Sequence, residues 1–352
     1  MRAIMTVGRG LMEPADVVAP AEPGPGRVRI RPEAVGVCGS DYHFLTGELV
    51  TPPEFGPQYP RVQGHEVAGT IDALGPGSPP HLRPGQRVAV YPLSSCGRCR
   101  ACRTGRPNAC PDFRLIGIHV DGALQEQFEV AADQVFPVGD LDPVTSAFCE
   151  PMSIAVRALE RGRVVEGEEI VVLGAGPIGQ AVTIAARDRG VGVLLADIMA
   201  ARLELGRLAG AAPATVVLSD GDPTALDARA HALAGGEGPH AVIDCTGAPS
   251  AIRAGVDVVG PTGRVVVVGI SHREVVLPVN AFTEREIDLL GSTVCLPDEF
   301  AEAVRIVGSR REQVRRLITH RTPLSGAAAA IVHAMENPGQ VMKLIVTADS
   351  DP

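Results

Sequence analysis

The chain has no tryptophan, and only one of its 32 basic residues, Lys343, is a lysine. The skew towards arginine reads as the codon bias of a GC-rich genome, and no mechanism is assigned to it. Basic residues are also outnumbered, because 32 Lys and Arg face 41 Asp and Glu for a formal charge of −9. Such a surface repels phosphate backbones unless a local basic patch compensates, so no nucleic-acid partner is expected. Missing too is any run near the ~20 apolar residues of a membrane span. The opening residues Met1–Val7 meet Gly8-Arg9-Gly10 before an apolar signal segment develops. No membrane partner and no secretion are expected, and the predicted location is cytoplasmic. Repeats and low-complexity tracts are absent. A composition of 45% hydrophobic and 21% charged residues is that of a globular protein, neither disordered nor fibrous.

What is present divides along the chain. At roughly 150 residues per domain, 352 residues suggest two cores. The first 150 residues or so are rich in Pro and Gly and carry short strand candidates at Val28–Ile30, Val67–Ile71 and Arg87–Val90, which predicts an irregular all-β unit. From about Glu169 apolar strand candidates follow at Ile170–Leu173, Val193–Ala196, Thr215–Leu218, Ala241–Asp244 and Val265–Val268. Several are separated by helix-like segments, of which Pro177–Arg189 is the clearest. Continuous apolar strands alternating with helices predict a doubly wound parallel sheet, so the fold class is α/β plus β. Helical stretches at Asp298–Ile306 and Ala327–Met335 and a last strand at Lys343–Val346 are expected to pack back on the first domain. The expected boundaries are 1–152, 153–293 and 294–352.

Gly174-Ala175-Gly176-Pro177-Ile178-Gly179 follows the strand Ile170–Leu173 and opens a helix, with Asp197 ending the next strand 18 residues after Gly179. That context turns a weak glycine pattern into a dinucleotide fingerprint. Gly174 makes the tight turn, Gly176 lets a pyrophosphate approach the backbone, and Gly179 lets helix and strand pack closely. The phosphates then meet a helix N-terminus. Asp197 is expected to accept hydrogen bonds from ribose hydroxyls and to repel a 2′-phosphate, which favours NAD over NADP, although Arg202 lies close by in sequence. The alternative is a tight strand-to-helix turn without a ligand.

Eight cysteines in a reducing compartment are not disulfide candidates by default. Cys96, Cys99, Cys102 and Cys110 form C-x2-C-x2-C-x7-C, enough soft ligands for a closed tetrahedral zinc. Four thiolates leave no position for substrate, so the role expected is structural. An iron–sulfur cluster or redox thiols are the alternatives.

Two further stretches, Val37-Cys38-Gly39-Ser40-Asp41-Tyr42-His43 and Gly64-His65-Glu66, add a thiol, an imidazole and carboxylates to the β-rich half. Together with the cysteine lobe and the glycine fingerprint, this set resembles the zinc-containing medium-chain dehydrogenase/reductase family, in particular its polyol and sugar-acid branch. The match runs in order over nearly the whole chain. It includes Leu115–Gly122, Phe148-Cys149-Glu150-Pro151-Met152-Ser153 and Asp244-Cys245-Thr246-Gly247.

The resemblance implies a GroES-like irregular β-barrel as the catalytic domain, joined to a Rossmann domain. It makes Cys38 and His65 ligands of a catalytic zinc, with Glu66 and Glu150 supplying the remaining carboxylate positions directly or through water. With the cysteine lobe this gives two zinc ions per chain. A zinc with mixed S, N and O ligands keeps an open position for an alcohol oxygen. Ser40 would take the alcohol proton and pass it through the cofactor ribose towards an exposed His43, and Asp41 would orient His65. Gly174, Gly176, Pro177, Ile178, Gly179, Asp197, Arg202, Thr246, Val268, Gly269 and Ile270 would line the NAD groove. Cys149, Cys245 and Cys295 are assigned to packing, and His119 beside Asp121 to a loop.

The activity implied is reversible oxidation of a secondary hydroxyl of a small polyol or sugar acid to a ketone, in a homo-oligomer of two or four chains. The alternatives are a zinc-free quinone or enone reductase, a non-catalytic NAD-binding regulator and a zinc-module nucleic-acid binder. Sorbitol-type members hold their polyol with a Tyr and an Arg-Tyr pair at positions that here are Phe44, Val294 and Cys295. Each unmade hydrogen bond costs about 0.5–1.5 kcal/mol, so sorbitol itself is disfavoured. The Leu115–Gly122 stretch is more similar to L-gulonate and L-galactonate dehydrogenases, whose sugar-acid carboxylate calls for an arginine that the sequence does not single out.

Overall fold

Alternation along Arg27–Gly36 sets the first unit's core. Val28 and Ile30 point inwards and are fully buried, while Arg29 and Arg31 point outwards, where each holds Asp72 across the sheet at 2.6 Å. In the computed structural model, which describes residues 1–48, 58–212, 214–218, 224–271 and 273–349, this strand is central to a seven-stranded sheet. Its hydrogen-bonded order is Val135–Pro137, Arg87–Val90, Glu66–Leu74, Arg27–Gly36, Leu344–Thr347 and His320–Pro323, with Phe128–Ala131 also paired to Arg27–Gly36. A second sheet of three strands joins Leu11–Asp16, Arg2–Gly8 and Arg61–Val62. Glycine and proline keep most strands short, as expected of an irregular β unit.

The second unit follows the opposite rule. Ile170, Val171, Val172 and Leu173 are all fully buried, as a strand covered on both faces must be. Six parallel strands run in the order Ala214–Val217, Gly192–Asp197, Glu169–Leu173, Ala241–Asp244, Arg264–Val267 and Asp288–Gly291. The order reverses direction between Glu169–Leu173 and Ala241–Asp244. In an open parallel sheet such a switch point opens a ligand crevice at the carboxyl ends of the strands. The strand Asp288–Gly291 carries no clear pattern because it is a short edge, with Leu289 43% exposed.

The two compact units comprise Met1–Glu150 with Leu296–Arg311 and Ile318–Pro352, and Pro151–Cys295 with Glu312–Leu317. Most of the chain from Leu296 onwards thus groups with the first unit, and Glu312–Leu317 with the second. The return begins with the helix Pro297–Ser309, where Pro297 sits in the first turn and Glu299 accepts the Leu296 N–H at 2.7 Å. Phe300 on this helix is fully buried, with ring centroids 5.8 Å from Tyr91 and 4.9 Å from Phe136. This aromatic trio fastens the returning helix to the sheet. Phe300→Ala is therefore expected to cost about 3–5 kcal/mol, measured by denaturant unfolding. A loss below about 1 kcal/mol would show that the trio contributes little.

Candidate functional site

Four separate segments deliver the first unit's polar cluster. Cys38 is the N-cap of the helix Gly39–Thr46, and its backbone N–H is held at 2.9 Å by the carboxylate of Asp41, three residues on. Gly64 precedes His65, and Glu66 opens the strand Glu66–Leu74. Lys343 lies just before Leu344–Thr347 and donates to the Val37 carbonyl at 2.9 Å while pairing with Glu66 Oε2. One ligand atom each from Cys38, His65 and Glu66 lie within 4.8 Å of one another. Glu150, buried, sits in the first turn of the helix Cys149–Arg161.

The electrostatics of this cluster are those of a site short of positive charge. Burial and the neighbouring Glu66 push the Cys38 thiol up to about 11. Burial raises Glu150 to about 8, with Glu66 and Cys38 adding to it and His65 opposing. Burial pulls His65 down, but Asp41, Glu150 and Glu66 together raise it. His65 Nδ1 lies 3.7 Å from Asp41 Oδ1, and among the described residues neither Nδ1 nor Glu66 Oε1 finds a hydrogen-bond partner. An unpaired ring nitrogen and carboxylate oxygen among repelling carboxylates fit a divalent cation, and the S, N and O set fits zinc with a position left open.

Ser40 Oγ is 3.7 Å from Cys38 Sγ. His43 lies one turn along the same helix and is half-buried, a correction to the exposed position expected for it. Phe44 is fully buried against Tyr59, ring centroids 5.3 Å apart, so it offers no surface to a ligand.

In the cysteine lobe the four sulfurs of Cys96, Cys99, Cys102 and Cys110 also lie within 4.8 Å of one another. Backbone N–H groups point at them: Cys99 to Cys96 at 3.4 Å, Cys102 to Cys99 at 3.5 Å, and Asp112 to Cys110 at 3.3 Å. The N–H groups of Arg98 and Cys99 lower the Cys96 thiol to about 6, whereas burial raises Cys110 to about 11. Four gathered sulfurs, three of them accepting amide N–H groups, fit a closed metal site.

The second unit holds a cleft of about 610 Å³ at the carboxyl ends of its strands. Gly174, Gly176, Asp197, Arg202 and Thr246 line it. Gly174 has φ +95°, and a Cβ on Gly179 would lie 1.7 Å from the Gly174 carbonyl oxygen, so neither position tolerates a side chain. Asp197 accepts the N–H groups of Ala175 at 2.6 Å and Met199 at 2.7 Å, which fixes its carboxylate at the cleft wall. Cys245, assigned to packing, also lines the cleft. Pro177, Ile178 and Gly179 form the first turn of the adjoining helix Pro177–Asp188. Val268 and Gly269 donate to the Asp244 carbonyl at 2.8 and 3.1 Å, with Ile270 next to them.

Residues 24–140 match the alcohol dehydrogenase GroES-like domain, and residues 177–309 match the zinc-binding dehydrogenases. L-galactonate-5-dehydrogenase of Escherichia coli K12 is 33% identical over 334 residues, covering 92% of this chain and 93% of that one. The chain belongs to the zinc-containing medium-chain dehydrogenase family. Among solved structures, one described as a short chain alcohol dehydrogenase of Escherichia coli CFT073 complexed with NADH superposes with TM-score 0.88 at 28% identity, covering 99% of both chains. A zinc-binding dehydrogenase from Sinorhizobium meliloti bound to NADP gives TM-score 0.87 at 32% identity over 98% of both.

Lys343, to which the sequence assigns no role in the site, is 1% exposed and pairs with Glu66. Its signal was available: a chain that uses arginine everywhere else keeps a lysine beside an apolar strand. The raised Glu150 and His65 both bind protons more tightly folded than unfolded, so both contribute stability at low pH that is lost as pH rises. Metal-stripped protein should melt at lower temperature as pH goes from about 5 to about 8, and Glu150→Gln should make the trend shallower. A melting temperature that rises over this interval would contradict the arrangement.

Proposed function

We propose that the chain is an NAD-linked, two-zinc dehydrogenase that oxidises a secondary hydroxyl of a sugar acid to a ketone. The observation that carries this is the convergence of Cys38, His65 and Glu66 beside buried Glu150. Cys38, His65 and one of the two glutamates would hold the catalytic zinc, and Cys96, Cys99, Cys102 and Cys110 the structural one. With Nδ1 facing Asp41, Nε2 is the His65 nitrogen left for the metal. Zinc there supplies a Lewis acid with an open coordination position for the substrate hydroxyl.

The chain's own groups do the rest. Ser40, beside Cys38, would accept the hydroxyl proton as it gives up its own, and His43, one turn along the helix, would carry the released proton towards solvent. The N–H groups at the start of Pro177–Asp188 receive the pyrophosphate, and the Asp197 carboxylate, fixed by two backbone N–H groups, takes ribose hydroxyls and repels a 2′-phosphate. Arg202 shares the cleft, and one neighbour of this fold carries NADP, so the choice of NAD rests on the Asp197 charge. A sugar acid is preferred to sorbitol because Phe44 is buried and Val294 and Cys295 offer no polar side chain equivalent to the sorbitol clamp, and because a relative is named for L-galactonate.

Purified enzyme should contain two zinc ions per chain and reduce NAD with L-galactonate or a related sugar acid. Cys38→Ser should lower kcat/KM by more than about 100-fold. Asp197→Ser should shift the NAD/NADP preference towards NADP by about tenfold or more. A two-zinc protein that binds NADH without oxidising any secondary alcohol of a polyol and sugar-acid panel would overturn the catalytic reading. A zinc-free protein that reduces quinones or enones would replace it.

A further inference from the structure

A chain of buried polar groups runs from the strand Arg2–Gly8 to the cluster of Cys38, His65 and Glu66. Thr6, in the strand Arg2–Gly8, and Gln63, two residues before His65, are both fully buried. The Thr6 hydroxyl donates to Gln63 Oε1 at 2.5 Å. The Gln63 amide donates to the Asp41 carbonyl at 3.0 Å and to Asp41 Oδ1 at 3.3 Å. Because both Asp41 atoms only accept, the amide can face them only with its nitrogen, which settles its orientation. The other carboxylate oxygen, Oδ2, holds the Cys38 N–H, and Oδ1 lies 3.7 Å from His65 Nδ1. Gln63 is itself anchored, since its carbonyl accepts the Leu124 N–H at 3.0 Å.

We propose that Gln63 is a positioning residue for Cys38 and His65, acting through Asp41. The Asp41 carboxylate bonds the Cys38 N–H and faces His65 Nδ1 at 3.7 Å, beyond hydrogen-bond length, so its orientation sets the electrostatic contact between the segments that carry the thiol and the imidazole. The helix Gly39–Thr46 ties Asp41 to Cys38 but not to His65. Gln63 supplies the missing link: its backbone continues into His65, and its side chain grips Asp41. Orientation of ligands by such outer partners is typically worth a factor of 10–100 in metal affinity or activity. The competing account is that Gln63 is a satisfied polar group in the core, in which case an apolar residue of similar size would be neutral or stabilising.

The inference rests on the metal-site reading of the preceding section, and the test separates the two. Zinc release from the holoenzyme to a coloured chelator is followed in the parent, Cys38→Ser, Gln63→Met and Thr6→Val. The parent is expected to show a release phase that Cys38→Ser abolishes, and a parent without one defeats the metal-site reading itself. Given that phase, Gln63→Met should accelerate it by about 10–100-fold, leave release from the four-cysteine lobe unchanged, and lower kcat with KM for NAD unaltered. Thr6→Val, which frees the far end of the amide, should accelerate the same phase less. Gln63→Met releasing zinc within about twofold of the parent would overturn the positioning role. If Gln63→Met does not fold, an unchanged phase in Thr6→Val does so instead.

Discussion

Asp41, Glu66 and Glu150 are buried around one thiol and one imidazole, and Lys343 is the ammonium that pairs with them at Glu66. Taking like charges out of water is costly unless a cation compensates, and removing one partner from such a cluster leaves the others uncompensated. The first unit is arranged around that requirement. Cys38 ends the central strand's connection, His65 and Glu66 begin its neighbour, and Lys343 arrives from the far end of the chain beside the strand that pairs with Arg27–Gly36. The seven-stranded sheet brings these groups together because Gly36 pairs with both Glu66 and Ile345.

The second unit solves a different problem with a related device. Its carboxylates are used to fix loops at the ends of parallel strands. Asp244 accepts the Thr246 N–H at 3.1 Å, the Thr246 hydroxyl at 2.6 Å and the Gly247 N–H at 3.0 Å. Asp197 likewise holds Ala175 and Met199. Such turns present backbone groups and small side chains to the cleft, which is what close approach of a dinucleotide requires. In the first unit a buried carboxylate fixes the segment that carries Cys38, and in the second it shapes the loops that line the cleft.

What could be read from the sequence follows from the range of the interactions. The cysteine lobe and the glycine turn were legible because their partners lie within 15 residues, so spacing alone encodes geometry. The parallel strands were legible because burial on both faces leaves continuous apolar runs. The partner of the lone lysine and the contacts of Gln63 were not, because neither pattern nor spacing links Lys343 to Glu66 or Thr6 to Gln63; only sheet pairing does. The strand Asp288–Gly291 escaped for another reason, since a four-residue edge with an exposed leucine has no period to detect. An exposed His43 follows only from the resemblance, and the helix Gly39–Thr46 half-buries it.

The central claim is that the buried acidic cluster exists to hold a cation between Cys38 and His65. A crystal of the native protein measured on both sides of the zinc absorption edge tests it directly. The account predicts an anomalous peak about 2.3 Å from Cys38 Sγ and about 2.1 Å from a His65 ring nitrogen, separate from the peak among the four lobe sulfurs. Anomalous density confined to the cysteine lobe, with Cys38 and His65 sharing no atom, would contradict it.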